Sequence, residues 1–219
     1  MNCCSNPQCR GIEQIFDDSI AAQELKTYKR KGVKKTTRLL IDTIKSLGVK
    51  DASLLDIGGG IGAIQLELLQ AGVARVTNVD ASPAYSKTAR DEAARRGWGD
   101  RVSYHVGNFV DLAPTLEPVD IVTLDRVICC YNDMPALVQA SVKQARRIYG
   151  LVFPKDVWWI KWGVGIFNWI QGILRHPFRI FAHPTEEVEA YVRATGFERV
   201  LTAQGIVWQV IVYAKASKE

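Results

Sequence analysis

Leu54-Leu55-Asp56-Ile57-Gly58-Gly59-Gly60-Ile61-Gly62 is the stretch whose reading decides the fold. A short apolar run carrying one carboxylate ends in a glycine-rich turn. A helical pattern, Ala63-Ile64-Gln65-Leu66-Glu67-Leu68-Leu69, begins at once. Strand, glycine turn and helix in that order form the entry to a nucleotide-type site at the carboxyl end of a parallel sheet. Gly58, Gly60 and Gly62 permit the sharp turn and let a ligand approach the backbone with no Cβ between them. The helix behind them offers unpaired N–H groups.

Two cofactor classes use such a turn. A dinucleotide site reads G-x-G-x-x-G/A, which Gly58, Gly60 and Ala63 satisfy, and Asp80 stands where a ribose-binding acid is expected. Asp56 separates the classes. A carboxylate just ahead of the glycines repels a pyrophosphate and suits a cationic ligand.

The pattern D-x-G-G-G-x-G resembles the first motif of class I S-adenosylmethionine-dependent methyltransferases, and the resemblance runs from about Leu54 to the C-terminus. It implies S-adenosylmethionine as cofactor, S-adenosylhomocysteine as product and no metal. It also implies roles: Asp80, with Ala81 beside it, holding the ribose diol, and Asn108 and Phe109 flanking the adenine. The backbone at Asp125 and Arg126 would meet the methionine part, and Asp56 would lie under its charged end.

Working outward, residues 51 to 150 alternate between strand and helix patterns. Strands are expected at 75–80, 101–106, 119–124 and 148–153, and helices at 84–96 and 135–145. Near-continuous apolar strands between helices imply a parallel sheet covered on both faces. Asp56, Asp80, Asn108 and Asp125 then fall at the ends of four successive strands, in register. After a helix opening at Pro184, residues 198–203 and 206–214 read as a hairpin that puts one antiparallel strand into the sheet. The expected fold is α/β: a Rossmann-like doubly wound sheet of seven strands, mostly parallel, over residues 51–219. Residues 1–50 are expected to form an N-terminal helical cap.

That cap shows helical spacing at Ile12, Ile15, Phe16 and Ile20, and a basic run from Lys26 to Lys35 containing Tyr28. The run reads as a solvated face or as a lid over the cofactor. Segment 156–183 is lid-like, and within it 157–174 holds four of the six tryptophans. It reads as core packing, as an apolar lid over a pocket or as a helix in a membrane interface. A span is excluded by its place between a strand and the next crossover helix.

In feature order the chain is similar to small-molecule O-methyltransferases of the magnesium-protoporphyrin and ubiquinone type. The points of similarity are the Tyr28-bearing N-terminal helices, Leu124-Asp125 before a short loop, Phe153-Pro154-Lys155, and Thr195-Gly196-Phe197 closing the helix from Pro184. It departs from the porphyrin enzymes at Cys129-Cys130-Tyr131-Asn132, where they carry a His-Tyr pair. The implied reaction is in-line methyl transfer to a small, partly apolar molecule, with oxygen the favoured acceptor. Tyr131, His183 and Tyr28 are the candidate catalytic residues.

Composition agrees with one globular unit: 219 residues, 47% apolar, 23% charged, net charge +5. No nucleic-acid motif accompanies the positive charge. Cys3, Cys4 and Cys9 read as incidental thiols at a frayed end, and no spacing of Cys, His or carboxylates suggests a metal. With no secretory pattern and no disulfide framework, a reducing cytoplasm is the simplest compartment; membrane association follows only from the third reading of 157–174. Competing functions are a nicotinamide-dependent oxidoreductase, a non-catalytic binding module and a macromolecular methyltransferase. Asp56 and the terminal hairpin count against the first. Asp125-Arg126-Val127-Ile128, which lacks an Asn/Asp-Pro-Pro-Tyr/Phe loop, counts against amino methylation.

Overall fold

The computed structural model describes residues 7–215. Cys3 and Cys4 lie outside the described residues, as does the side chain of Cys9. Seven strands are described: β1 Ser53–Ile57, β2 Arg75–Asp80, β3 Val102–Val106, β4 Val119–Asp125, β5 Ala145–Pro154, β6 Phe197–Gln204 and β7 Trp208–Lys215. They form one sheet in the order β3-β2-β1-β4-β5-β7-β6. Strands β1 to β5 pair in parallel, and β7 runs antiparallel to both β5 and β6. The chain leaves β1 toward β2 in one direction and β4 toward β5 in the other. The crevice beyond their carboxyl ends is therefore the topological switch point, where open α/β sheets take ligands.

Alternation along the strands feeds two apolar layers. Leu54, Val76, Ile121 and Ile148 point to one face, Leu55, Val122, Tyr149 and Tyr213 to the other. Helices α1 Pro7–Ile15, α2 Asp18–Lys31 and α3 Lys35–Ser46 precede the sheet. α4 Ala63–Gln70 and α5 Pro83–Arg95 share a face with α3, while α6 Phe109–Leu112, α7 Met134–Lys143 and α9 Thr185–Arg193 lie on the side of Tyr149. Starts are set locally: Asp17 accepts from the Ile20 N–H at 2.9 Å, Ser82 from the Tyr85 N–H at 3.2 Å, and Asp133 from the Ala136 N–H at 3.0 Å. α8 Trp158–Ile173 links β5 to α9.

Among the described residues before β1, α3 packs on the sheet while α1 and α2 lie nearer the cavity. Leu40, Ile41 and Ile44 of α3 are fully buried against β5 and β7, worth about 1.5–3 kcal/mol each. Gly150 makes room, since a Cβ there would sit 2.6 Å from Leu40 Cδ1. α1 and α2 lie over the carboxyl ends of the strands, where both line the cavity. β5 is longer than expected and begins at Ala145, with α7 ending at Lys143. Arg146 and Arg147 are exposed, so the start of this strand lacks the apolar run that marks its remainder.

Candidate active site

A cavity of about 1060 Å³ opens at the switch point and runs from the glycine turn to α8. Its floor is the end of β1. Asp56 is buried, and its Oδ1 accepts from Thr123 Oγ1 on the neighbouring strand at 2.7 Å. Its Oδ2 is buried too, with no hydrogen-bond partner among the described residues. Desolvation, reinforced by the charges of Asp125 and Asp80, pushes this carboxyl up from 3.8 to about 7. A rise of that size means that ionising Asp56 costs about 4 kcal/mol more than in water. The residue is prepared to gain from a cation placed beside it.

The glycine turn is held by what surrounds it. Gly58 has φ +61°, and a Cβ there would lie 2.4 Å from Val127 Cγ2 in the loop after β4. The Gly60 N–H donates to Asp80 Oδ2 at 2.8 Å, and the Ser82 N–H donates to Oδ1 at 2.8 Å. Asp80 therefore braces the turn, and each oxygen keeps a lone pair that can accept from a diol. Burial raises it to about 6. Ala81 lines the cavity beside it, whereas Gly62 stands behind the wall as the left-handed N-cap of α4.

Across the cavity Asn108 caps α6, accepting from the Val110 N–H at 3.3 Å, and Phe109 packs into the core beneath. The Tyr131 hydroxyl donates to Asn108 Oδ1 at 2.9 Å, which joins the loops after β3 and β4. Asp125 is tied on both oxygens. Arg126 Nη1 donates at 2.9 and 3.0 Å, and Thr37 Oγ1 donates to Oδ2 at 2.5 Å. Arg126 holds φ +62°, unusual for a side-chain-bearing residue, and its Nη2 donates to Thr36 Oγ1 at 2.6 Å. Its guanidinium also lies 5.1 Å from the centre of the Trp208 ring. Thr36, Thr37 and Trp208 are site residues that sequence reading passes over, because their roles come from partners some 90 positions away.

The expected catalytic residues separate. Tyr28 lines the cavity from α2, donating to Glu67 Oε1 at 3.3 Å, and burial raises its pKa, so it stays a protonated donor. Tyr131 lines the cavity too. His183 does not: its ring stacks on Phe181 and its Nε2 bonds the Tyr131 carbonyl at 2.9 Å. Burial lowers its pKa, leaving it neutral at pH 7 and the donor to that carbonyl. Its contacts among the described residues thus include the Tyr131 backbone and the Phe181 ring. Beside polar residues of α2 such as Gln23 and Thr27, an apolar wall is formed by Ile12 of α1, Phe16 just after it, Ile160, Val164 and Phe167 of α8, and Phe178 beyond. Phe16 meets Tyr85 at 5.3 Å and Phe178 at 6.1 Å, joining the turn between α1 and α2 to the far wall.

The described sheet and helices match magnesium protoporphyrin IX methyltransferase from Synechocystis PCC 6803, solved with S-adenosylhomocysteine bound. The TM-score is 0.71 at 16% identity, covering 95% of this chain and 100% of that one. The chain has the class I methyltransferase fold. Geranyl diphosphate methyltransferase, solved with S-adenosylmethionine, shares it at a TM-score of 0.65 and 16% identity, over 82% of this chain and 84% of that one. Residues 55–148 match the family model described as a methyltransferase domain. In sequence the chain is similar to ribosomal protein L11 methyltransferase of Tolumonas auensis, 28% identical over 112 residues. That alignment covers 51% of this chain, which spans only 37% of that relative. Within the methyltransferase fold the residues on this cavity fit S-adenosylmethionine. A buried carboxylate oxygen awaits a cation, a second carboxylate can accept from a diol, and the glycine turn leaves backbone bare.

Proposed function

We propose that this protein transfers a methyl group from S-adenosylmethionine to an oxygen of a small, partly apolar acceptor. The observation that carries the reading is the continuity of one cavity from Asp56 and the glycine turn to the apolar wall of Ile12, Phe16 and α8. At one end it suits a cation with a ribose; at the other it suits a flat or greasy molecule.

When bound, S-adenosylmethionine supplies an electrophilic methyl group on a sulfonium that leaves as a neutral thioether. The chain does the rest by position. Asp56 faces the positive end, Asp80 accepts from the ribose hydroxyls, and Phe109 and Asn108 flank the base. The apolar walls exclude water and hold the acceptor oxygen in line with the methyl carbon at about 3–3.5 Å, an arrangement able to supply several kcal/mol. Lys34 lines the same cavity, a positive charge that favours an acidic oxygen arriving already ionised. Such an acceptor needs no base from the protein.

Calorimetric titration with S-adenosylmethionine, S-adenosylhomocysteine and NAD(H) tests the cofactor. Micromolar binding of both sulfur compounds and none of NAD(H) is expected; the reverse result ends the methyltransferase reading.

A further inference from the structure

α8 has two apolar faces. At 3.6 residues per turn Ile160, Val164 and Phe167 fall together and wall the cavity. Opposite them Trp158, Trp162, Ile166, Trp169 and Ile173 recur at intervals of four, four, three and four, forming a stripe turned outward. Trp158 is 79% exposed, Trp162 69%, Trp169 67% and Ile173 61%. Of the 12 large hydrophobic residues exposed among the described residues, eight lie between Trp158 and Leu174. The exposure is therefore one patch rather than scatter, and a patch of this kind marks an interaction surface.

Charge identifies what it meets. From Val157 to Thr185 the chain holds no Asp or Glu, while Lys161 and Arg175 stand exposed toward the two ends of the helix. We infer that the Trp158–Ile173 stripe seats α8 flat in the headgroup layer of an anionic lipid bilayer. Tryptophan rings favour that level, half apolar and half wet, and the cations meet anionic headgroups. A helix of 16 residues is about 24 Å long, short of the roughly 30 Å hydrocarbon core. No helix among the described residues is long and apolar enough to cross a membrane. The contact is therefore a surface one. A second copy packed stripe on stripe would bring Lys161 and Arg175 to the same seam with no carboxylate on the segment to meet them. Because α8 also walls the cavity, an acceptor dissolved in the bilayer reaches the site along this helix; that consequence rests on the methyltransferase reading.

The test is co-sedimentation of the full chain with vesicles of equimolar phosphatidylcholine and phosphatidylglycerol, and with vesicles of phosphatidylcholine alone. Binding to the first and weaker binding to the second are expected. Tryptophan emission should shift to shorter wavelength, since four of the six tryptophans lie at 158–169. Trp162→Ser with Trp169→Ser should lower binding by about tenfold or more, and Lys161→Glu should do so most at low salt. S-adenosylhomocysteine titration of each variant reports that the fold is intact. Wild-type protein that ignores both vesicles, or substitutions that leave binding unchanged, overturn the inference. So does a concentration-dependent dimer abolished by the same substitutions. Vesicle binding without any S-adenosylhomocysteine binding would sink the cofactor reading and leave this one standing.

Discussion

Asp56 is a buried acid with one oxygen satisfied by Thr123 and the other unpaired. Its folded pKa of about 7 lies above its ordinary 3.8, so the folded state holds the proton more tightly than the unfolded chain does. Its contribution to stability is present below pH 3.8 and is lost as pH rises through about 7. A cationic ligand reverses this by favouring the ionised form. S-adenosylmethionine affinity should therefore rise as pH approaches about 7 from the acid side and flatten above it, with up to one proton released per ligand on the acid side. Calorimetry in two buffers of different ionisation heat measures that proton. Asp56→Asn should bind more weakly and lose the rise that ends near pH 7, leaving only the part due to Asp80 near 6. An unchanged profile in this variant would take Asp56 away from the cation.

Between elements, α8 is positioned by few polar contacts, so each matters. Asn168 donates from Nδ2 to the Ile180 carbonyl at 2.7 Å and accepts from the Ile180 N–H at 3.0 Å. The Phe181 N–H donates to the Cys129 carbonyl at 2.7 Å. The Asn168 pair folds the irregular segment after α8 back onto the helix, the Phe181 bond ties it to the loop after β4, and Phe167 meets Phe178 at 6.3 Å. Asn168→Leu would leave two backbone groups unpaired at a cost of about 1–3 kcal/mol. Tryptic cleavage after Arg175 and Arg179 should quicken by about tenfold. S-adenosylhomocysteine affinity should stay the same, because Asn168 belongs to the acceptor end. Equal protease resistance would mean that the lid is held by packing alone.

At the scale of the molecule, a buried carboxylate ties α2 to α5 and so to the sheet layers. Glu92 of α5 meets Lys29 of α2 at 2.9 Å, and Arg95 and Arg96 at 2.5 and 2.9 Å. Hydrogen bonds from Arg95, Lys29 and Arg96 draw its pKa down to about 2. A depressed folded value stabilises above the unfolded 4.5 and is lost as pH falls through about 2. The partners Lys29 and Arg95 are 42% and 60% exposed, so solvent screening holds the contribution to about 1–2 kcal/mol. Glu92→Gln should lower the unfolding midpoint at pH 7 and lose most of its difference from wild type by pH 2.5. Asp56 and Asp80 titrate with the opposite sign but are common to both proteins, so the comparison isolates Glu92. A deficit independent of pH would make Glu92 a packing residue only.

The strand–glycine–helix entry, the parallel order of the central strands and the terminal hairpin were all determined by sequence alone, because they rest on rules that act within a few residues. Glycine tolerates φ +61° at position 58, Ser82-Pro83 starts a helix, and apolar runs make buried strands. Four polar strand ends in register follow from that alternation. Other features depend on partners far along the chain, and only the tertiary structure decided them. Arg126 with Thr36 and Thr37, and His183 turned to the Tyr131 backbone instead of the cavity, are of this kind. The apolar spacing of α1 and of α3 looks alike in sequence, yet Ile12 borders a cavity while Leu40 is core. The tryptophans of α8 could have faced inward by composition alone. Which of two apolar faces a helix buries is set by the volume its neighbours leave open, and here they leave room for Ile160, Val164 and Phe167 but not for the rings behind them.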